Sequence, residues 1–451
     1  MARKKKLHEG IIEGKIYPNK SYLHIDGDKY VFKDGLPGQK VNIISKRKKK
    51  DFRDAKLVEI LAKSPMEIES KCEAFGVCGG CAYQNISYED ETKLKQEMLN
   101  NLYKDIYKEE IEIYPSNKVE AYRNKMEYSF GDKEKGGELT LGLHSKGRFY
   151  EICDTTGCNI VCEDFETIRK AVEQYFRDKN KTYFRKQTHK GLLRHLVVRY
   201  AFSNKEIMVN LVTSSQDEWN KKEFIDMLLN LNLDGKIRSI LHTTNDNLSD
   251  AVIVDKLDLL YGENLITEHI LGLDFNISPF SFFQPNPSVA EKLYTKALDM
   301  AGDLENKTVL DLYSGTGTIS QVFAKKAKKV IAIEIVEEAV EKAKENAKLN
   351  NLENTHFIAG DVLEEIDNMK EKVDIVVLDP PRSGIHPKAI DKILDINPKT
   401  FIYISCNPVT QVIDLETFIK RGYKIKNLEL FDQFPRTVHV ECIALIQRQI
   451  M

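Results

Sequence analysis

The sequence predicts an α/β protein of several domains whose carboxy-terminal part is a doubly wound parallel sheet. Three observations carry that prediction. From about residue 290, apolar strand-like runs alternate with helical patterns, and strands alternating with helices build parallel sheets. Residues 8–62 instead read as short β segments separated by turn residues such as Asp26-Gly27 and Pro37-Gly38. That is the rhythm of a small five-stranded barrel of the OB type. Between them lies a mixed α+β region, and 451 residues leave room for two or three domains. The expected divisions are 1–62, 63–275 and 276–451.

The amino-terminal segments are "GIIEGKIYP", "SYLHIDGDKYVF", "DGLPGQKVNIIS" and "DAKLVEIL". Residues 1–60 carry 16 Lys and Arg against 8 Asp and Glu, although the whole chain is near neutral at −2. "KRKKK" at 46–50 lies inside this basic stretch. Clustered cations gain affinity for nucleic acid by displacing its counterions, so this part is expected to meet RNA phosphates.

The middle region opens with three cysteines. "CEAFGVCGGC" places Cys72, Cys78 and Cys81 in a C-x5-C-x2-C run. Three thiolates so close suggest a soft metal centre. A fourth ligand must come from further along, and "ICDTTGCNIVC" offers Cys153, Cys158 and Cys162. Spacing chooses neither among these three nor between zinc and iron–sulfur. Eight cysteines in 451 residues are too few for a disulfide scaffold. Helices are expected over 88–106 and 163–179, and strands over 122–130, 137–145 and 191–202.

The carboxy-terminal strands are "TVLDLY" (308–313), "KVIAIEI" (329–335), "HFIAGD" (356–361), "VDIVVLDPP" (373–381) and "TFIYIS" (400–405), with two more strands at the end. Ligands of such sheets bind beyond the carboxyl ends of the strands, and the polar motifs fall there. Gly315 and Gly317 follow the first strand, and Glu334 ends the second. Glycines permit a tight turn and close approach to a ligand, and the acid can accept ribose hydroxyls. An adenosine site follows. The third glycine of a dinucleotide site is Ser320 here, which disfavours NAD. Asp379 closes the fourth strand in "LDPPRSG". Amino-group methyltransferases have an aromatic residue after a similar D-P-P, whereas Arg382 follows Pro381 here. Cys406 ends the fifth strand beside Asp379, and Glu441 on the last strand can reach the same crevice. Cys442 points to the opposite face by alternation and is expected in the core. A thiol, a carboxylate and S-adenosylmethionine together suit methylation of uracil C5. A thiolate adding to C6 makes C5 carbanionic, and a base then removes the C5 proton.

These motifs are similar to those of the RNA uracil-C5 methyltransferases, which make 5-methyluridine. "SFFQPNP" (281–287), "DLYSGTGT", "LDPPRSG", "SCNP" and "FPRTVHVE" (434–441) occur in that family's order across nearly the whole chain. The resemblance implies a Rossmann-like class I methyltransferase domain at 276–451. It implies that Gln284, Tyr313, Glu334 and Asp379 bind S-adenosylmethionine, with Asp361 at the adenine edge. It makes Cys406 the nucleophile and Glu441 the base. Residues 1–60 resemble the RNA-binding TRAM barrel. The subgroup with this cysteine run holds a 4Fe–4S cluster, and its fourth cysteine matches Cys158, since "CNIV" precedes a helix. Cys72, Cys78, Cys81 and Cys158 are then the cluster ligands, bracing the central domain for RNA. The expected substrate is structured RNA, 23S ribosomal RNA above transfer RNA. A non-catalytic RNA-binding or chaperone protein is the reading from another class, and the presence of Cys406, Glu441 and Asp379 argues against it. No apolar stretch approaches the ~20 residues of a membrane span, and no apolar segment follows the basic start. A cytoplasmic location is expected, without an obligate protein partner.

Overall fold

The structure, a computed structural model, describes residues 7–249, 252 and 254–449. The basic start at 1–6 lies outside the described residues. Six strands open the chain: β1 (Leu7–Ile11), β2 (Gly14–Ile16), β3 (Lys20–Ile25), β4 (Asp28–Lys33), β5 (Lys40–Lys48) and β6 (Arg53–Ala62). They form one sheet in the order β1-β5-β6-β4-β3-β2 around Leu23, Phe32, Val41 and Ile43. Six strands replace the expected five because "GIIEGKIYP" changes partners midway. Ile12 N donates to Gln39 O at 2.9 Å, beside β5, and Glu13 N donates to Tyr22 O at 3.0 Å, on β3. The β5–β6 hairpin carries Lys46–Lys50, all exposed.

Helix α1 (Tyr88–Tyr103) begins at Ser87, whose hydroxyl accepts from Asp90 N at 3.0 Å. Strand β7 (Glu112–Tyr114) follows. Both fall inside the expected 63–275 domain, yet both pack on the carboxy-terminal sheet. Leu94, Met98, Leu99 and Tyr103 of α1 share a core with Val376, Phe401 and Tyr403. Tyr17 and Leu36 of the amino-terminal sheet join that core.

The middle sheet comprises β8 (Lys125–Asp132), β9 (Leu139–Ser145), β10 (Arg148–Asp154), β11 (Leu193–Ala201), β12 (Glu206–Thr213), β13 (Lys236–Thr244) and β14 (Lys256–Gly262). Its order is β10-β9-β8-β11-β12-β13-β14. Helices α2 (Glu163–Asp178) and α3 (Lys221–Leu229) lay Phe165, Ile168, Phe176 and Phe224 against Leu196 and Val198. A hairpin, β15 (Ile266–Ile270) with β16 (Leu273–Ile277), leads out.

The last part runs α4 (Pro287–Ala301), β17 (Thr308–Leu312), α5 (Thr318–Ala324), β18 (Lys329–Glu334), α6 (Glu337–Leu349), β19 (Thr355–Ala359), α7 (Val362–Asn368), β20 (Ile375–Leu378), α8 (Pro387–Asp395), β21 (Thr400–Ser405), α9 (Pro408–Lys420), β22 (Tyr423–Phe431) and β23 (Glu441–Arg448). The strands order as β19-β18-β17-β20-β21-β23-β22-β7. β17 to β21 are mutually parallel, and β23 runs antiparallel between β21 and β22. Every residue of β20 and β21 is buried, as a sheet covered on both faces requires. Among the described residues no helix is long and apolar enough to cross a membrane.

Candidate active site

The site begins at the turn after β17. Tyr313, Gly315 and Gly317 have φ of +67°, +53° and +73°, so three of these five residues are left-handed. Gly317 N donates to Ser314 O at 2.9 Å and closes the turn. Glu334, at the end of β18, holds the turn from the side. One carboxylate oxygen accepts from Gly315 N at 2.9 Å, and the other accepts from Val336 N at 3.0 Å.

Beyond these strand ends lies a cavity of about 670 Å³, bordered by Gln284, Tyr313, Glu334, Asp379, Cys406 and Glu441. Six of the residues singled out from sequence therefore meet in one place. Its size suits one small ligand. Phe282, Ile335 and Val336 border it with 66%, 65% and 53% of their surface exposed, an apolar face for a planar ring. Gln284 is oriented from behind, since Gln433 Nε2 donates to its side-chain oxygen at 3.1 Å and Asn124 Nδ2 donates to its main-chain oxygen at 2.9 Å. Asp361 is not among the residues bordering the cavity. It caps α7, accepting from Leu363 N at 2.8 Å, and its charge reaches Tyr313, which borders the cavity.

The acids face one another in low dielectric. Burial pushes the Glu441 carboxyl up to about 8, with Asp379 adding to the rise and Arg382 opposing it. Burial, then the charge of Asp311, pushes Asp379 to about 7. Cys406 is pushed up to about 11 by burial and then by Glu441 and Asp379, while Arg382 pulls it down and hydrogen-bonds to it. The resting thiol is therefore protonated. Arg382, used above only to disfavour amine methylation, borders the cavity and faces both Cys406 and Glu441. Its place directly after Asp379-Pro380-Pro381, beyond a strand end, was the available signal. Cys442 is fully buried in the core, as alternation predicts.

The loop before Glu441 is clamped by α1. Lys95 Nζ, fully buried, donates to Glu91 at 2.7 Å and to Asp432 at 2.8 Å. Arg436 N donates to Glu91 at 2.7 Å, and the Arg436 guanidinium donates to Ile86 O at 2.9 Å. Ala82 N and Tyr83 N, just after Cys81, donate to Arg436 O at 2.8 and 3.1 Å. The sequence pattern gave no sign of this clamp.

The cysteines come together from two segments joined by Gln84 and Asn159, whose side-chain amides pair at 2.7 and 3.2 Å. Each of the six pairs among Cys72, Cys78, Cys81 and Cys158 interacts electrostatically. Cys153 hydrogen-bonds to Cys78, and Cys162 faces Asp164 at the start of α2. Among the described residues, however, no three His, Cys, Asp or Glu side chains are arranged to hold a metal ion.

Strand order, glycine turn and acid-lined cavity define an α/β fold whose cavity at the carboxyl edge of the sheet lies where such sheets take nucleotide-like ligands. A family model described as tRNA (Uracil-5-)-methyltransferase matches residues 87–449, and the chain belongs to this family of RNA uracil-5 methyltransferases. A Clostridium tetani protein described as an uncharacterized RNA methyltransferase is 46% identical over 99% of both chains. A Thermotoga maritima protein with the same description is 35% identical over 93% of this chain and 94% of its own. The crystal structure of Pyrococcus abyssi tRNA (uracil-54, C5)-methyltransferase in complex with S-adenosyl-L-homocysteine shares the fold, with a TM-score of 0.76 at 24% identity, over 97% of this chain and 100% of that one.

Proposed function

We propose that this chain is a cytoplasmic enzyme that uses S-adenosylmethionine to methylate C5 of uridine in RNA, with 23S ribosomal RNA as its substrate. The observation that carries the reading is the convergence of Cys406, Glu441 and Asp379 on the cavity that Gln284, Tyr313 and Glu334 border. Bound S-adenosylmethionine supplies an electrophilic methyl group. Glu334 beside the glycine turn suits the ribose, the exposed Ile335 and Val336 suit adenine, and we assign the rest to Gln284, Tyr313 and Asp379, which border the same cavity. Cys406, once it loses its proton to solvent, adds to uracil C6. The electron pair this places at C5 forms the new bond to the methyl carbon as the donor's methyl–sulfur bond breaks, its electrons leaving with a neutral thioether. Glu441, as carboxylate, removes the C5 proton, and the thiolate leaves as the C5–C6 double bond returns.

Glu441→Gln tests the order of steps. Addition and methyl transfer need no loss of the C5 proton, so this variant should stall as a protein–RNA adduct that survives a denaturing gel and requires Cys406. A general base contributes roughly 10²–10⁴-fold, and turnover of Glu441→Gln at the wild-type rate assigns the base to another residue.

The ribosomal substrate rests on the cysteine run and on the basic amino-terminal sheet, read as a TRAM-type RNA-binding module. The family description and the archaeal structure both name tRNA. Mapping 5-methyluridine in RNA from cells lacking this protein separates the two: loss from 23S RNA supports this reading, and loss from tRNA replaces it.

The four clustered thiols have the donor chemistry of a 4Fe–4S cluster held by Cys72, Cys78, Cys81 and Cys158. Such a cluster would brace the two segments that Gln84 and Asn159 already join. Anaerobically purified protein should then carry iron and sulfide, lost in Cys158→Ser and kept in Cys153→Ser. Stoichiometric zinc, or the reverse pattern of loss, overturns the assignment.

A further inference from the structure

We propose that Arg123, Lys125 and Arg199 form a seat for one backbone phosphate of the RNA, beside the catalytic cavity. The inference rests on the RNA reading above. Lys125 on β8 and Arg199 on β11 are direct cross-strand partners, so two cations share one face of the sheet. Like charges placed opposite each other destabilise a strand pair, and here they are held there by other bonds. Arg199 is buried, and its guanidinium donates to Pro279 O at 3.1 Å and to Ser281 O. Those carbonyls fix it without neutralising it. Arg123 Nε donates to Lys125 O at 2.9 Å and brings a third cation alongside. Glu127, 3.9 Å from Lys125, is the carboxylate that reaches this group. Three cations against one anion leave a surplus that a phosphodiester would reduce.

The place is also right. Ser281 borders the catalytic cavity, and Asn124, between Arg123 and Lys125, donates to the Gln284 main-chain oxygen at 2.9 Å. The pKa values record the same crowding of positive charge. Burial, then Arg199 and Arg123, lower Lys125 to about 8, with Glu127 opposing. His439, two residues before Glu441, is lowered to about 4 by burial and then by Arg382, Lys95 and Arg123. Cations thus continue from Arg382 beside Cys406, past His439, to Arg123 and Lys125. A nucleotide whose base enters the cavity would lay its backbone along that line.

The test uses the full chain and a structured 23S fragment bearing the target uridine, unmethylated. Lys125→Gln should flatten the dependence of log K on log salt by roughly 0.7–0.9, one phosphate's share. It should raise KM for RNA severalfold at similar kcat, and Lys125→Arg should restore both. Arg123→Gln should behave like Lys125→Gln. Lys420→Gln, at the end of α9 and so at the opposite edge of the sheet, should leave the slope unchanged. An unchanged slope in Lys125→Gln and Arg123→Gln, or an equal change in Lys420→Gln, overturns the seat. Wild-type protein that binds RNA but methylates none would overturn the catalytic reading instead, while the slopes would still decide the seat.

Discussion

Cys406 is held as a thiol by its neighbours. Burial raises it most, and the carboxylates of Glu441 and Asp379 add to the rise. Sequence could place this cysteine at a strand end next to acids, but the sign of their effect depends on burial that no motif reports. The sign can be measured. Glu441→Gln removes the largest charge acting against the thiolate, so at pH 8 Cys406 should react with iodoacetamide several-fold faster than in the wild type. Arg382→Gln removes the opposing cation and should slow the reaction. Equal rates in all three proteins would mean that these charges do not govern the thiol. The acids carry a second consequence, for stability. Asp379 rises from 3.8 to about 7, and Glu441 from 4.5 to about 8. Their contribution is therefore full below about pH 4, where the unfolded carboxyls are also protonated. It falls as pH rises and is lost once pH passes about 8. A shift of this size is worth on the order of 4 kcal/mol per group. Urea melts of the ligand-free protein should show stability declining from pH 5 to pH 8, with a shallower decline in Asp379→Asn. Asp361 shows a different limit of sequence reading. Ending a strand beside a ligand crevice and capping the next helix look alike in sequence; here the side chain caps α7 while its charge reaches Tyr313 at the cavity.

The alternating strands and helices from 308 onward were legible because apolar runs of five or six residues separated by amphipathic helices admit few arrangements. That β21 lies next to β20, as expected, is seen in their parallel pairing, Ile375–Leu378 against Thr400–Tyr403. Helix α7 was not legible, since Val362–Asn368 is short and follows its strand after only two residues. Nor was β7, a three-residue strand that joins the far edge of the sheet across more than 300 residues. The glycine turn was legible, and the structure adds why Gly317 admits no side chain. Its φ is +73°, and a Cβ there would lie 2.6 Å from the Phe357 ring and 2.9 Å from Ala343 Cβ. Gly317→Ala should cost about 1–3 kcal/mol by overpacking and should weaken S-adenosylmethionine binding measured by calorimetry. The clamp between α1 and the 432–436 loop makes a stronger demand. Lys95→Met leaves Asp432 buried without its cation and Glu91 with only the Arg436 guanidinium at 3.4 Å, which costs about 3–5 kcal/mol. Chemical denaturation should show that loss. A drop below 1 kcal/mol would mean the two carboxylates are neutral without Lys95.

At the scale of the molecule, the amino-terminal sheet is not an appendage. Tyr17 and Leu36 lie in the same core as Met98, Tyr103 and Tyr403, next to the sheet that carries Cys406. Burial at Tyr17 brings it close enough to Cys442, Glu441 and Cys406 for their charges to reach its hydroxyl. Removing residues 1–62 would therefore uncover apolar core as well as remove cations, and lost RNA affinity in such a protein would have two causes. The charge alone can be tested on the β5–β6 hairpin, where Lys46, Arg47, Lys48, Lys49 and Lys50 are exposed. Lys49 approaches Asp54 at 3.9 Å, an exposed pair worth little to the fold. Replacing all five by Gln should leave the urea midpoint nearly unchanged. It should flatten the salt dependence of RNA binding by up to about 3.5, at roughly 0.7 per single-strand phosphate contact. Methyl transfer at saturating RNA should persist, since the hairpin is remote from the cavity in sequence and contributes none of its bordering residues. If the salt slope is unchanged while the midpoint holds, the hairpin faces solvent in the complex, and RNA is gripped by the middle sheet and the cavity edge alone.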